Sequence, residues 1–181
     1  KNVFNKRSTF EISTVQLPNT IKSIGQSAFE GQSALYSINL PDGLRTIGSY
    51  AFDYCTNLRA ITIPDSVTSI EQYAFNYCRA LKQLSLPNGI TSIADNAFQS
   101  CEELTTITIP DSVTSIGSWT FLGCSSLSSI TIPDSVISIG EWAFDEIGVS
   151  NDIPDDITEE LVVTFDEHSE GDNYYTIDII K

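Results

Sequence analysis

Positive charge is scarce in this chain. Nine Lys and Arg stand against 24 Asp and Glu, a net charge of −15 over 181 residues. Residues 1–150 carry 14 acidic and 8 basic side chains (net −6), and residues 151–181 carry 10 acidic and one basic (net −9). Such a surface repels phosphate backbones and anionic lipid, which makes nucleic acid and membrane surfaces poor partners. No apolar run approaches the roughly 20 residues that cross a bilayer. Histidine is nearly absent: only His168 occurs, in an acidic stretch beside Asp166, Glu167 and Glu170, where it reads as a solvated loop residue rather than a general base. No GxGxxG, GxxxxGK[ST], HExxH or GxSxG sequence is present, so nothing points to an enzyme or to a cofactor. There is no N-x-[ST] sequon either. The chain begins at Lys1 without a methionine or a visible signal peptide, and is expected to be a processed or excised piece whose export signal lies outside it.

What the chain has instead is a period. Prolines fall at 18, 41, 64, 87, 110 and 133, always 23 residues apart, and a fixed period of 20–50 residues marks a solenoid. Leu104–Leu127, LTTITIPDSVTSIGSWTFLGCSSL, shows the unit. Ahead of each proline, apolar residues alternate with small polar ones (Ile107 and Ile109 in this copy), which predicts a short half-buried strand. Strands recurring every 23 residues without a hairpin must stack in parallel. Proline cannot donate to a ladder, so it ends the strand. Asp or Asn follows it in every copy, at Asn19, Asp42, Asp65, Asn88, Asp111 and Asp134; this row is read as turn chemistry rather than as a cation-binding edge.

After this corner come two apolar residues three apart, usually a glycine, and then x-x-Ala-Phe-x-x-Cys, as in SYAFDYC at 49–55. Apolar residues at that spacing predict a short helical turn, with Phe29, Phe52, Phe75, Phe98, Phe121 and Phe144 stacked into a spine. Helical turns at about 8–10 Å each against strands at about 4.8 Å would curve the stack with its sheet on the concave side. Cys55, Cys78, Cys101 and Cys124 share one repeat position, which Gln32 and Ile147 fill in the outer copies. A slot that accepts Ile is an apolar packing site, so free buried thiols are expected, with neither disulfides nor metal.

The unit LxxIxIPxxVxxIGxxAFxxCxxL resembles the BspA-like leucine-rich repeat over roughly residues 12–150. The resemblance implies an α/β repeat fold, a right-handed leucine-rich-repeat solenoid with a curved parallel sheet and short helical turns on the other side. It also implies a secreted or cell-surface location and a non-enzymatic role in recognition or adhesion, with a protein or glycan on another cell or matrix as partner. The alternative is a structural spacer or self-assembling subunit of a surface layer or filament.

On this reading, residues 1–17 are a degenerate N-terminal cap and 18–153 hold six repeats. Residues 154–181 form an acidic β-hairpin, with LVVTF (161–165) and YYTIDII (174–180) as strands, that caps the solenoid or begins a further domain. The turn between them, with Asp166, Glu167, Glu170, Asp172 and Asn173, offers oxygen ligands for Ca²⁺ but lacks EF-hand spacing and is read as solvated.

Two faces are candidates for binding. Tyr50, Tyr73, Trp119 and Trp142 each precede the Ala/Thr-Phe pair by one residue, and Tyr54 and Tyr77 follow Tyr50 and Tyr73 by four. On a helical turn that spacing puts them on one side, in an aromatic patch of the kind that marks interaction sites. The sheet's outer face, with Asn39, Thr62, Ser85, Thr108 and Thr131 in one row, is the other. It is small, polar and without the Trp, Tyr or Arg anchors of interface hot spots.

Overall fold

A computed structural model describes residues 12–148, 162–166 and 174–178. The strands before the prolines are β1 (Thr14–Gln16), β3 (Ser37–Asn39), β5 (Ala60–Ile61), β7 (Gln83–Ser85) and β9 (Thr106–Thr108). They form one parallel sheet in that order. The register is one repeat per strand, with Val15 beside Ile38, Ile38 beside Ile61 and Leu84 beside Ile107. Every apolar position therefore packs on its own copy, and a row of Ile and Leu lines the core. In the next copy Ser129–Thr131 is not a strand, and the sheet stops at β9.

The proline corner forms as expected. In all six copies the proline carbonyl accepts a hydrogen bond from the amide three residues on, for example Val67 N to Pro64 O at 2.9 Å and Val113 N to Pro110 O at 3.0 Å. These are β-turns with the proline at their first position.

Beyond the corner a second set of two-residue strands appears, which the apolar spacing did not reveal. They are β2 (Ser23–Ile24), β4 (Thr46–Ile47), β6 (Ser69–Ile70), β8 (Ser92–Ile93), β10 (Ser115–Ile116) and β11 (Ser138–Ile139). They pair in parallel as two sheets, β2-β4-β6 and β8-β10-β11. The gap between the two coincides with a change in sequence. The residue after each of these strands is Gly25, Gly48, Gly117 or Gly140 in four copies but Glu71 and Ala94 in the other two. A Cβ added at Gly48 would lie 2.9 Å from Gln26 N, and one at Gly140 2.6 Å from Gly117 C, so this position runs against the backbone of the preceding turn. Two successive side chains there, Glu71 and Ala94, fall where the ladder parts.

Where short helical turns were expected, the described residues contain no helix. The segment 48–58 runs as linked β-turns: Ala51 N bonds Gly48 O (3.1 Å), Asp53 N bonds Tyr50 O (3.2 Å), and Cys55 N bonds Phe52 O (3.1 Å). Alternate amides leave the turn altogether, with Tyr50 N to Gln72 O, Phe52 N to Ala74 O and Tyr54 N to Asn76 O at 3.1, 2.8 and 2.9 Å. The cause is backbone handedness. Two positions per repeat have positive φ, one holding Ser27, Tyr50, Tyr73, Asn96, Trp119 and Trp142, the other Gly31, Tyr54, Tyr77, Ser100, Gly123 and Glu146. A left-handed residue interrupts an α-helix and turns neighbouring N–H groups along the solenoid axis. This wall thus stacks nearly as tightly as the sheet. Its Phe rings lie 5.1–5.7 Å apart, which leaves no room for helices at about 8–10 Å and removes the helix-based reason for strong curvature.

The core fills the space between these walls. Phe52, Phe75, Phe98 and Phe121 are fully buried, and each ring stacks on the next within 13° of parallel from Phe29 to Phe144. All four cysteines are free and buried, but they do more than fill apolar space. Each thiol donates to the carbonyl of a Phe 26 residues earlier: Cys55 to Phe29 O and Cys78 to Phe52 O at 3.2 Å, Cys101 to Phe75 O at 3.4 Å and Cys124 to Phe98 O at 3.3 Å.

In the tail, β12 (Val162–Asp166) and β13 (Tyr174–Asp178) pair antiparallel with Thr164 opposite Thr176. The segment between them, with His168 and with Glu167, Glu170, Asp172 and Asn173, for which a solvated turn was expected, lies outside the described residues, as do residues 1–11 of the N-terminal cap.

Candidate functional site

The aromatic candidates all sit at the two left-handed positions, which the helical argument for their proximity did not foresee. Tyr50, Tyr73, Trp119 and Trp142 have φ of 59°, 59°, 55° and 60°, and Tyr54 and Tyr77 have 57° and 54°. Such φ values are uncommon for non-glycine residues and cost about 1–2 kcal/mol each. The inter-turn hydrogen bonds and ring stacking offset that cost. The sequence does carry a signal for it: Gly31, Gly123 and Asn96 occupy equivalent positions in other copies, and these residue types tolerate the left-handed region best.

The tyrosines form two ladders along the solenoid axis rather than one helical side. Tyr50 stacks on Tyr73 with centroids 4.7 Å apart, and Tyr54 on Tyr77 at 4.5 Å, both nearly parallel. Tyr50 and Tyr73 are half-buried; Tyr54 is the more open, with 48 % of its surface exposed. Further along, Trp119 is 39 % exposed and Trp142 half-buried.

The position after each Phe forms a row that is polar in every copy except at Leu122. In it Asp53 and Asn76 are both buried, and Asn76 Nδ2 donates to Asp53 Oδ1 at 2.9 Å. Further along this row, burial raises the pKa of Asp145 from its usual value.

At the far end of the Tyr54–Tyr77 ladder the Arg79 guanidinium lies over the Tyr77 ring, 5.4 Å from its centroid. Its Nε also pairs with Glu102 Oε1 at 3.3 Å. Arg59 lies similarly over Tyr36, at 5.5 Å. Both are cation–π contacts.

The sheet face carries Asn39, Thr62, Ser85, Thr108 and Thr131, all exposed. Over β1, β3 and β5 it holds a shallow open groove of about 370 Å³, lined by residues of all three strands, Gln16, Asn39 and Thr62 among them. No titratable side chain lines it. Among the described residues no group of three or more His, Cys, Asp or Glu is placed to hold a metal ion, and no helix is long and apolar enough to cross a membrane.

Comparison with known proteins agrees with this architecture. The family model for the BspA type leucine rich repeat region matches six copies, over residues 1–121 and 91–170. A leucine rich cell surface protein from Faecalibacterium prausnitzii is 34 % identical, with a TM-score of 0.72 over 90 % of this chain and 44 % of its own. The Treponema pallidum leucine rich repeat protein is 30 % identical, with a TM-score of 0.66 over 72 % of this chain and 70 % of its own. A leucine-rich repeat protein from Bacteroides ovatus is also 30 % identical, with a TM-score of 0.63 over 80 % of this chain and 44 % of its own. The chain thus spans less than half the length of the first and third of these. No curated protein matches it.

Proposed function

Because the chain belongs to the BspA-type leucine-rich repeat family, we propose that it is a non-enzymatic recognition module of a secreted or cell-surface protein, which adheres to a protein partner through the aromatic wall. One observation carries this reading: two ladders of parallel tyrosines are held on the outside of the solenoid, one of them ending in a half-exposed ring. Exposed aromatic clusters mark interaction sites, and Tyr and Trp dominate binding hot spots. The 34 % identity to a cell surface protein supports an extracellular setting. The sheet face lacks such anchors and is the weaker candidate.

The test is a double variant, Tyr50→Ser with Tyr73→Ser, assayed for binding to cells or matrix. Serine already occupies this left-handed position at Ser27, so the fold should persist, with a loss near the ~0.5–1.5 kcal/mol of one stacked pair. Binding should be abolished while the thermal midpoint stays within roughly 2–6 °C. Binding that survives this change but falls with Thr62→Arg and Ser85→Arg would place the site on the sheet instead.

A further inference from the structure

The Tyr54–Tyr77 ladder is finished at one end and unfinished at the other. Tyr77 has one face against Tyr54 at 4.5 Å, which leaves its opposite face to the Arg79 guanidinium. The outer face of Tyr54 points toward the preceding repeat, where the equivalent residue is Gly31. The register is fixed by the backbone. Gly31 N donates to Asp53 O at 2.7 Å, just as Tyr54 N donates to Asn76 O at 2.9 Å one repeat later. Gly31 shares the left-handed conformation, with φ of 71°, so a side chain there would continue the ladder, and the glycine puts none in that slot. Tyr54 is accordingly 48 % exposed.

We propose that this slot takes an arginine side chain of a protein partner, stacked on Tyr54 as Arg79 is stacked on Tyr77; the inference rests on the aromatic-wall reading and names the chemistry of its contact. Two observations and the electrostatics of aromatic rings select a planar cation. The protein itself places a guanidinium over the other end of the same ladder, and another over Tyr36. An aromatic face carries negative charge density that attracts cations. The net charge of −15 draws basic partners toward the surface over longer range. Arginine suits the slot better than lysine, because its flat, weakly hydrated guanidinium stacks on a ring while an ammonium is a compact, strongly hydrated point charge.

The test uses the full chain with ring-labelled tyrosine, and follows Tyr54 by NMR during titration with N-acetyl-arginine amide, N-acetyl-lysine amide or methyl glucoside. The arginine amide should give saturable shifts at Tyr54, roughly threefold tighter than the lysine amide. Tyr54→Ser, with serine already tolerated at Ser100, should lose the arginine response over the ladder. Gly31→Gln, which fills the slot and keeps the ring, should lose it as well. An arginine response that persists in both variants would overturn the proposal. So would shifts with the glucoside and none with arginine, which would assign the slot to a sugar. If the arginine amide fails while cell binding still depends on Tyr50 and Tyr73, this inference is refuted and the broader reading stands.

Discussion

Removing one ring from the centre of the phenylalanine spine is the most direct perturbation of this fold. Phe75 is fully buried, with the rings of Phe52 and Phe98 at 5.1 and 5.5 Å on its two faces. Truncating a buried Phe to Ala costs about 3–5 kcal/mol. Losing two stacked neighbours, at ~0.5–1.5 kcal/mol each, puts Phe75→Ala in the upper half of that range. For a chain of this size, about 4 kcal/mol corresponds to a drop of roughly 8–16 °C in thermal midpoint. The end of the spine supplies the control. Among the described residues Phe144 stacks on a single ring, Phe121 at 5.4 Å, and it is 5 % exposed, so Phe144→Ala should cost about 1 kcal/mol less. Phe75→Leu, which keeps most of the volume, should cost much less than the alanine change. Because each repeat is stabilised by its neighbours, the central gap should also weaken coupling between the two halves and broaden the transition. Thermal and urea unfolding followed by circular dichroism measure all three variants. A midpoint for Phe75→Ala that is unchanged, or no lower than that of Phe144→Ala, would refute the account of the spine as a continuous core.

Two further predictions follow from the same wall. Burial pushes the Cys55 thiol up to about 12 and raises Cys78 and Cys101 well above their usual value; thiolate is the reactive form, so an aromatic disulfide reagent at pH 8 should titrate almost no thiol in the folded protein and four after denaturation, and a fast-reacting folded sample would contradict the geometry. Ser100 sits at φ 55° where Gly31 and Gly123 occupy the equivalent position, so Ser100→Gly should stabilise by about 1 kcal/mol or slightly less, the relieved left-handed strain being offset partly by chain entropy; a loss of stability measured in urea would show the strain argument to be wrong.

Much of the candidate site was legible residue by residue, and its arrangement was not. The tyrosines at 50, 54, 73 and 77 were identifiable as an aromatic set because they recur at two fixed repeat positions, four residues apart. The helical spacing used to bring Tyr50 beside Tyr54 does not operate, since left-handed residues occupy both positions. The pairs that form lie 23 residues apart instead. Gly31 signals a left-handed position in the sequence, but it bears on binding only once Tyr54 is known to stack along the axis, where the glycine places no side chain against its ring. The cysteine slot was correctly apolar, yet its hydrogen bonds to Phe carbonyls depend on a neighbouring turn.

The 23-residue period alone determined that this chain is a solenoid, that its pre-proline strands stack in parallel, and that one Phe per turn enters the core. These follow because a repeat with a single apolar face is stable only against copies of itself, and identical copies meet in identical register. Tertiary structure decided the rest. Whether x-x-Ala-Phe-x-x-Cys coils as a helix or opens into linked turns depends on where its amides find acceptors, and those acceptors belong to the next repeat, as Phe52 N to Ala74 O illustrates. A hydrogen bond between turns appears in no local pattern, because either backbone state satisfies the same apolar spacing until the neighbouring turn is in place.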